Sequence, residues 1–220
     1  LDNGNDGLIE KGFRYYAVTI ASGVVVDVYV LHMDAGSSDG DITAREKQLT
    51  QLATYIKGTN NKRPIIIVGD TNCRYTREQL KTGFIDVINA DSRFTIKDAW
   101  IEKIWKGTYP TYGGDAMMWY NAPYNNNTGE VVDKIFYINN TESSLTIEAN
   151  SYLHNTSFGV SDHYPVIVNF TITDPTAKAL TAAEKEQANT LTDVQEGSSV
   201  VKPTWLGEQV VSGNSYYVMN

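Results

Sequence analysis

Residues 63 to 70 read RPIIIVGD, and no polar residue interrupts the run from Pro64 to Val68. A stretch this short and this uniformly apolar is a strand covered on both faces, because a strand with one wet face alternates apolar with polar residues. Such a strand obliges the rest of the chain to build a layer above it and another below. The flanking patterns can supply both. RYYAVTI and VVVDVYVL, joined at Ser22-Gly23, read as a β-hairpin between Arg14 and Leu31. Thr43 with Glu46 forms a capping box, and Leu49, Leu52, Ala53 and Ile56 recur at helical spacing until Gly58 stops the run. A second box, Thr76 with Gln79, opens a helix carrying Leu80, Phe84, Val87 and Ile88, and a short third helix is expected around Asp98 to Trp105. VVDKIFYI (131 to 138), SLTIEA (144 to 149) and YPVIVNFTI (164 to 172) complete the strands. Helices and strands alternate in the middle and hairpins lie toward the ends, which predicts a layered α+β sandwich.

That sandwich is expected to take up residues 1 to 173. Asp174-Pro175 breaks the last strand, residues 174 to 203 read as a linker with a short helix capped at Thr181, and residues 204 to 220 regain strand-like composition, as the opening of a further domain. The start, LDNGNDG, is polar and turn-forming, so the chain reads as a processed or excised piece. Within the sandwich, residues 107 to 129 lose all periodicity and hold many aromatics, including Trp119 and Tyr120, which predicts a long surface loop.

Charge and cysteine content narrow the chemistry. A net charge of -8 offers no broad cationic surface to a polyanion. The single cysteine, Cys73, excludes an intrachain disulfide framework and a cysteine-rich zinc site, and it reads as a small buried filler. No apolar run approaches the roughly 20 residues that span a bilayer.

Four short segments place polar or ionisable groups where an apolar strand meets a loop. They are His32-Met33-Asp34 after the hairpin, Gly69-Asp70-Thr71-Asn72 after the buried strand, Asp133-Lys134 at a strand start, and Ser161-Asp162-His163-Tyr164-Pro165 leading into the last strand. Charges at such junctions are tolerated when paired or bound to a metal. One at a time these residues are ordinary turn, cap and ion-pair residues, but taken together they describe a single site. Two of the three histidines fall in these segments, while His154 matches none and is expected to face solvent.

In this order the segments resemble the Thr-His-Leu, Gly-Asp-Phe-Asn, Asp-Tyr-Ile-Phe and Ser-Asp-His-x-Pro motifs of the endonuclease/exonuclease/phosphatase superfamily, in its sphingomyelinase-like and deoxyribonuclease-I-like members. Lys11-Gly12-Phe13 is similar as well, and the likeness covers roughly residues 8 to 173. It implies a four-layer α/β/β/α sandwich of deoxyribonuclease-I-like type, here without its first strands. It also implies a magnesium-dependent phosphoric ester hydrolase, with manganese or calcium as substitutes. On this likeness His163 is the general base and Asp133 orients it. Asp70 and Asn72 position water, ion and phosphate, and His32 donates to a substrate oxygen. Asp162, Asp70, Asn72 and His163 would bind the metal, and Arg74, Tyr75, Trp119 and Tyr120 would meet the substrate.

The aromatic loop 116–124 suits either a membrane surface or a lid packed over the domain's own core; with the acidic charge, the first makes a phospholipid headgroup linkage the expected substrate, with nucleic acid as the less favoured alternative. A non-catalytic binding module of the same fold is a further alternative. The family's upstream asparagine and metal-binding glutamate are not visible, and Glu10 lies too close to His32 to take that role. The chain is therefore expected to need an N-terminal segment of the same protein and to be weakly active or inactive by itself. The modular ending fits a secreted, periplasmic or cell-surface protein.

Overall fold

The computed structural model describes residues 11–21, 23–59, 62–75, 78–109, 131–154, 161 and 163–175, together with strands at 205–211 and 214–219. Strands β1 (Gly12–Ala21) and β2 (Val24–His32) form the expected antiparallel hairpin, with Gly23 at a φ of 75° in its turn and a bulge between Thr19 and Ala21. Helix α1 (Asp39–Gly58) then crosses over to β3 (Ile65–Asp70), which lies parallel to β2. The helix starts more than a turn before the expected box at Thr43. Ser38 is its cap: the Ser38 hydroxyl accepts from the Asp41 amide, and the Asp41 carboxylate accepts from the Ser38 amide. An aspartate here does the job that the Glu46 pattern led us to place later.

The next helix is one run in three pieces, α2 (Glu78–Leu80), a π-helical segment (Lys81–Ile85) and α3 (Asp86–Asn89); the expected cap at Thr76 lies outside the described residues. It leads to β4 (Phe94–Asp98), a strand not anticipated from sequence, and to α4 (Ala99–Ile104), whose first amides bond to the Asp98 carboxylate. Strands β5 (Asp133–Asn140), β6 (Thr146–His154) and β7 (Val166–Thr173) follow, and a hairpin of β8 (Trp205–Val211) and β9 (Asn214–Met219) ends the described chain.

The main sheet has the order β1-β2-β3-β5-β4, with β6 and β7 paired as a second, antiparallel sheet. Two neighbouring residues of β5 reveal the layering. Phe136 meets Phe84 of the helical layer at 5.7 Å between ring centroids, whereas Tyr137, pointing the other way, meets Phe170 of β7 at 5.6 Å. On the helical side Leu49, Leu52 and Ile56 of α1 close over Tyr29, Ile65 and Ile67. Each such side chain contributes roughly 1.5–3 kcal/mol by leaving water. On the other side Val166, Val168, Phe170 and Ile172 alternate inward against the same core. Strand β3 is covered above and below, as its composition requires, with Ile65 and Ile67 fully buried and Ile66 and Val68 half-buried. The fold is an α+β sandwich of the deoxyribonuclease-I-like type, and its helix, sheet and sheet layers lie among the described residues.

Candidate active site

Three of the expected side chains are brought together by strand register alone. His32 ends β2, Asp70 ends β3 and Asp133 opens β5, and the pairings are His32 with Asp70 and Asp70 with Asp133. Residues directly opposite on neighbouring strands share a face with their Cβ atoms about 4.5–5.5 Å apart. The row therefore lies on the face that carries Val68 and Tyr137, toward the second sheet. Gly69 lets β2 and β3 approach at this end. Its φ is 136°, and a Cβ there would stand 2.0 Å from the Leu31 carbonyl oxygen, which no side chain can occupy.

The loop after β3 fixes Asp70. One carboxylate oxygen accepts from the Asn72 amide at 2.7 Å, in a turn that holds Asn72 at a φ of 47°. The other oxygen faces both histidines, 3.5 Å from His32 Nε2 and 4.0 Å from His163 Nε2. Asn72 in turn gives its side-chain N–H to the Met33 carbonyl at 2.9 Å, so oxygen is what its amide can offer a ligand. Asp133 is committed differently: its carboxylate meets Nδ1 of His163 at 2.7 Å. A carboxylate only accepts, so that contact places a ring proton on Nδ1 and makes Nε2 the nitrogen turned toward Asp70, the orientation a general base requires. The His163 amide is itself anchored on the Ser161 hydroxyl at 3.1 Å.

Asp70, Asp133 and His163 can each offer one ligand atom within 4.8 Å of the others. Two carboxylates on adjacent strands repel each other unless a cation lies between them, and an oxygen-rich set with one imidazole suits a hard divalent ion such as Mg2+, Mn2+ or Ca2+. The donor set fits. Beside Asp133 a pocket of about 230 Å³ opens between the sheets, lined by Val68, Ile135, Tyr164 and Val166.

Beneath the row, on the helical face, lies a buried polar cluster. Tyr75 is 3% exposed, stacks on Trp100 at 4.7 Å and donates its hydroxyl to Asp98 at 2.5 Å. The expectation that Tyr75 touches substrate is thus incorrect: its ring belongs to the core because Trp100 and Asp98, distant in sequence, receive it there. Lys134, pairing with Gly69 across β3 and β5, directs its ammonium to the Val131 carbonyl and over the Tyr75 ring. Burial pushes the Lys134 ammonium down to about 8, with Asp98 pulling against that shift, and burial raises the Asp98 carboxyl and the Tyr75 hydroxyl.

Cys73 is fully buried, as expected, and Arg74 is half-buried. Asp162, Trp119, Tyr120, the loop 116–124 and the His154 side chain lie outside the described residues. Sequence reasoning left Lys11 without a role although its Nζ stands 2.7 Å from His32 Nε2. The signal was present in Lys11-Gly12, a lysine ahead of a glycine at the mouth of the first strand.

The chain is similar to known proteins in sequence and in fold. A family model described as endonuclease/exonuclease/phosphatase family 2 matches residues 3–169. Sphingomyelinases of Mycobacterium bovis and Mycobacterium tuberculosis are each 30% identical to the chain over 167 residues, covering 73% of it and 30% of their own length. The chain thus spans less than a third of these relatives. Among solved structures, D. rerio TDP2 complexed with a single-strand DNA product superposes with a TM-score of 0.50 at 18% identity, over 72% of this chain and 60% of that one, a likeness of fold.

Proposed function

The chain belongs to the endonuclease/exonuclease/phosphatase family, and from that premise we propose that the full-length protein is a divalent-metal-dependent phosphodiesterase cleaving a phospholipid headgroup linkage by attack of water. The observation that carries this reading is the in-register row of His32, Asp70 and Asp133, with His163 locked to Asp133 at 2.7 Å. A phosphodiester is anionic and resists attack, so its hydrolysis calls for charge neutralisation and for a base that takes a proton from water. The row supplies groups for both tasks.

Asp70 and the Asn72 amide oxygen, joined by Asp162 on the grounds of the motif, are the residues that would hold the ion. When bound, the ion supplies charge neutralisation and polarises the phosphate. His163 Nε2 accepts the proton of the attacking water. Asp133 keeps Nδ1 protonated and stabilises the imidazolium that forms. His32, across Asp70 from Asp133, belongs to the side of the site that meets the substrate's other oxygens.

The headgroup substrate is supported by the likeness to sphingomyelinases and by a net charge of -8, which is ill suited to a nucleic-acid backbone. The pocket between the sheets offers apolar walls next to Asp133. Such a substrate fits an exported protein, with the aromatic loop 116–124 at the membrane surface. The test is hydrolysis of sphingomyelin vesicles and of plasmid DNA by the full-length protein with Mg2+. Phosphocholine release with intact plasmid is expected; nicking of the plasmid with intact lipid would replace this reading by a nuclease.

A further inference from the structure

We propose that Thr71 is a positioning residue of this site: its buried hydroxyl, bonded to the Val132 carbonyl, sets the spacing between the Asp70 and Asp133 carboxylates. The inference rests on the reading of this row as a metal-dependent hydrolytic site, and Thr71 acts on it through the backbone at either side of the carboxylate pair.

Asp70 and Asp133 are the last pair of the β3–β5 ladder. Like charges directly opposite each other push neighbouring strands apart, and the end of a ladder has no rung beyond it to resist. Thr71 supplies that resistance one residue further on. Its amide donates to the Val132 carbonyl at 3.0 Å and its hydroxyl to the same oxygen at 2.8 Å. A hydroxyl carries one proton and two lone pairs, so with its proton on Val132 it also accepts, and the Cys73 amide donates to it at 3.3 Å. One side chain thereby joins the turn that carries Asp70 and Asn72 to the residue that precedes Asp133. The neighbouring carbonyl, that of Val131, accepts from the Lys134 ammonium, and the Asp70 carbonyl accepts from the Met33 amide at 2.9 Å. The backbone around the two carboxylates is held from the end of β2 through to the start of β5.

Packing does not call for the hydroxyl. Thr71 is fully buried, and a buried hydroxyl is unfavourable unless it is bonded, whereas valine fills nearly the same space without that requirement. The Val132 carbonyl, moreover, already accepts from the Thr71 amide. What the hydroxyl adds is a second link across the strands and the tie to Cys73, and both restrain geometry. An ion is sensitive to such restraint, because its ligand groups work only when held within about 0.5 Å of the productive arrangement. Mg2+ demands near-ideal octahedral geometry, while Ca2+ accepts irregular sites. A loosened carboxylate pair therefore loses Mg2+ before it loses Ca2+.

The test uses the chelator-treated full-length protein with Thr71→Val and Thr71→Ser variants. It measures Mg2+ and Ca2+ binding by calorimetry, and bis(p-nitrophenyl) phosphate hydrolysis at saturating Mg2+. Thr71→Val is expected to keep the wild-type near-ultraviolet circular dichroism, to bind Mg2+ about 10-fold or more weakly, and to lower kcat by about 10- to 100-fold with KM within about threefold. Its Ca2+ affinity is expected to fall by less than about threefold, a difference that a general loss of stability does not produce. Thr71→Ser restores the hydroxyl and is expected to recover Mg2+ binding and kcat to within about threefold of wild type. Mg2+ affinity and kcat unchanged in Thr71→Val, equal weakening of both ions, or Thr71→Ser as impaired as Thr71→Val would overturn the role of Thr71 and leave the phosphodiesterase reading intact. A Thr71→Val protein without the native spectrum would overturn it too, because the hydroxyl would then serve the fold. Hydroxyl-dependent Mg2+ binding without any turnover would do the reverse, and wild type that binds no Mg2+ overturns both.

Discussion

Asp70 and Asp133 are chemically alike and sit side by side, but their surroundings give them different work. Asp70 spends one oxygen on the Asn72 amide and keeps the other toward the histidines, whereas Asp133 is bonded to His163. Replacing Asp133 by Asn keeps the shape, lets an amide N–H face Nδ1 and reverses the tautomer. We expect Asp133→Asn to fold normally and to lose about 10²- to 10⁴-fold in kcat with a smaller change in KM, read by steady-state kinetics. An unchanged kcat would remove His163 from the role of base. These residues were legible in sequence because each sits at a strand end beside a loop, where an unsatisfied charge calls for a reason. Tyr75 was not legible. Its neighbours in sequence belong to the loop after β3, and only Trp100 and Asp98, brought in by β4 and α4, decide that its ring is buried.

Among the elements, β3 carries the largest constraint. Gly69→Ala would press a methyl against the Leu31 carbonyl, and we expect a loss of at least about 2 kcal/mol in urea unfolding. Gly12→Ala meets only backbone strain and should cost about 1–3 kcal/mol; the larger loss at position 69 is the expected order. The interface of β2 with α1 gives a pH dependence. Tyr29 packs against Tyr55 of that helix, and burial raises its hydroxyl to about 12 from an ordinary value of 10.0. In the unfolded chain the tyrosine ionises first, so the stability Tyr29 contributes is complete below pH 10 and is lost as pH rises toward 12. Tyr29→Phe should flatten the fall in stability across that window, measured by urea unfolding at stepped pH; an equal fall in both proteins would contradict it. Sequence periodicity found α1, the β1–β2 hairpin and β3 because each is long or strongly patterned. It missed β4, whose FTIKD buries Phe94, Ile96 and Asp98 on alternate positions but is too short and polar to stand out. It also misplaced the start of α1, where Ser38 and Asp41 compete with the equally regular Thr43 and Glu46.

At the scale of the molecule, two sheets and a helical layer exist to bring strand ends into one place. The layering could be foreseen from a strand apolar on both faces; which strands form the second sheet could not, since β6 and β7 look like any other alternating runs until Phe170 meets Tyr137. On the second-sheet face of β1 and β2, Tyr16 is 49% and Val30 45% exposed. The role proposed for the row of His32, Asp70 and Asp133 with His163 is that of one hydrolytic site that works with a divalent ion. Its most direct test is the initial rate of bis(p-nitrophenyl) phosphate hydrolysis by the full-length protein as Mg2+ is titrated into chelator-treated enzyme. A rate near zero without metal that rises to saturation and is lost in Asp70→Asn is expected; turnover indifferent to chelation, or none at any Mg2+ concentration, would rule that role out.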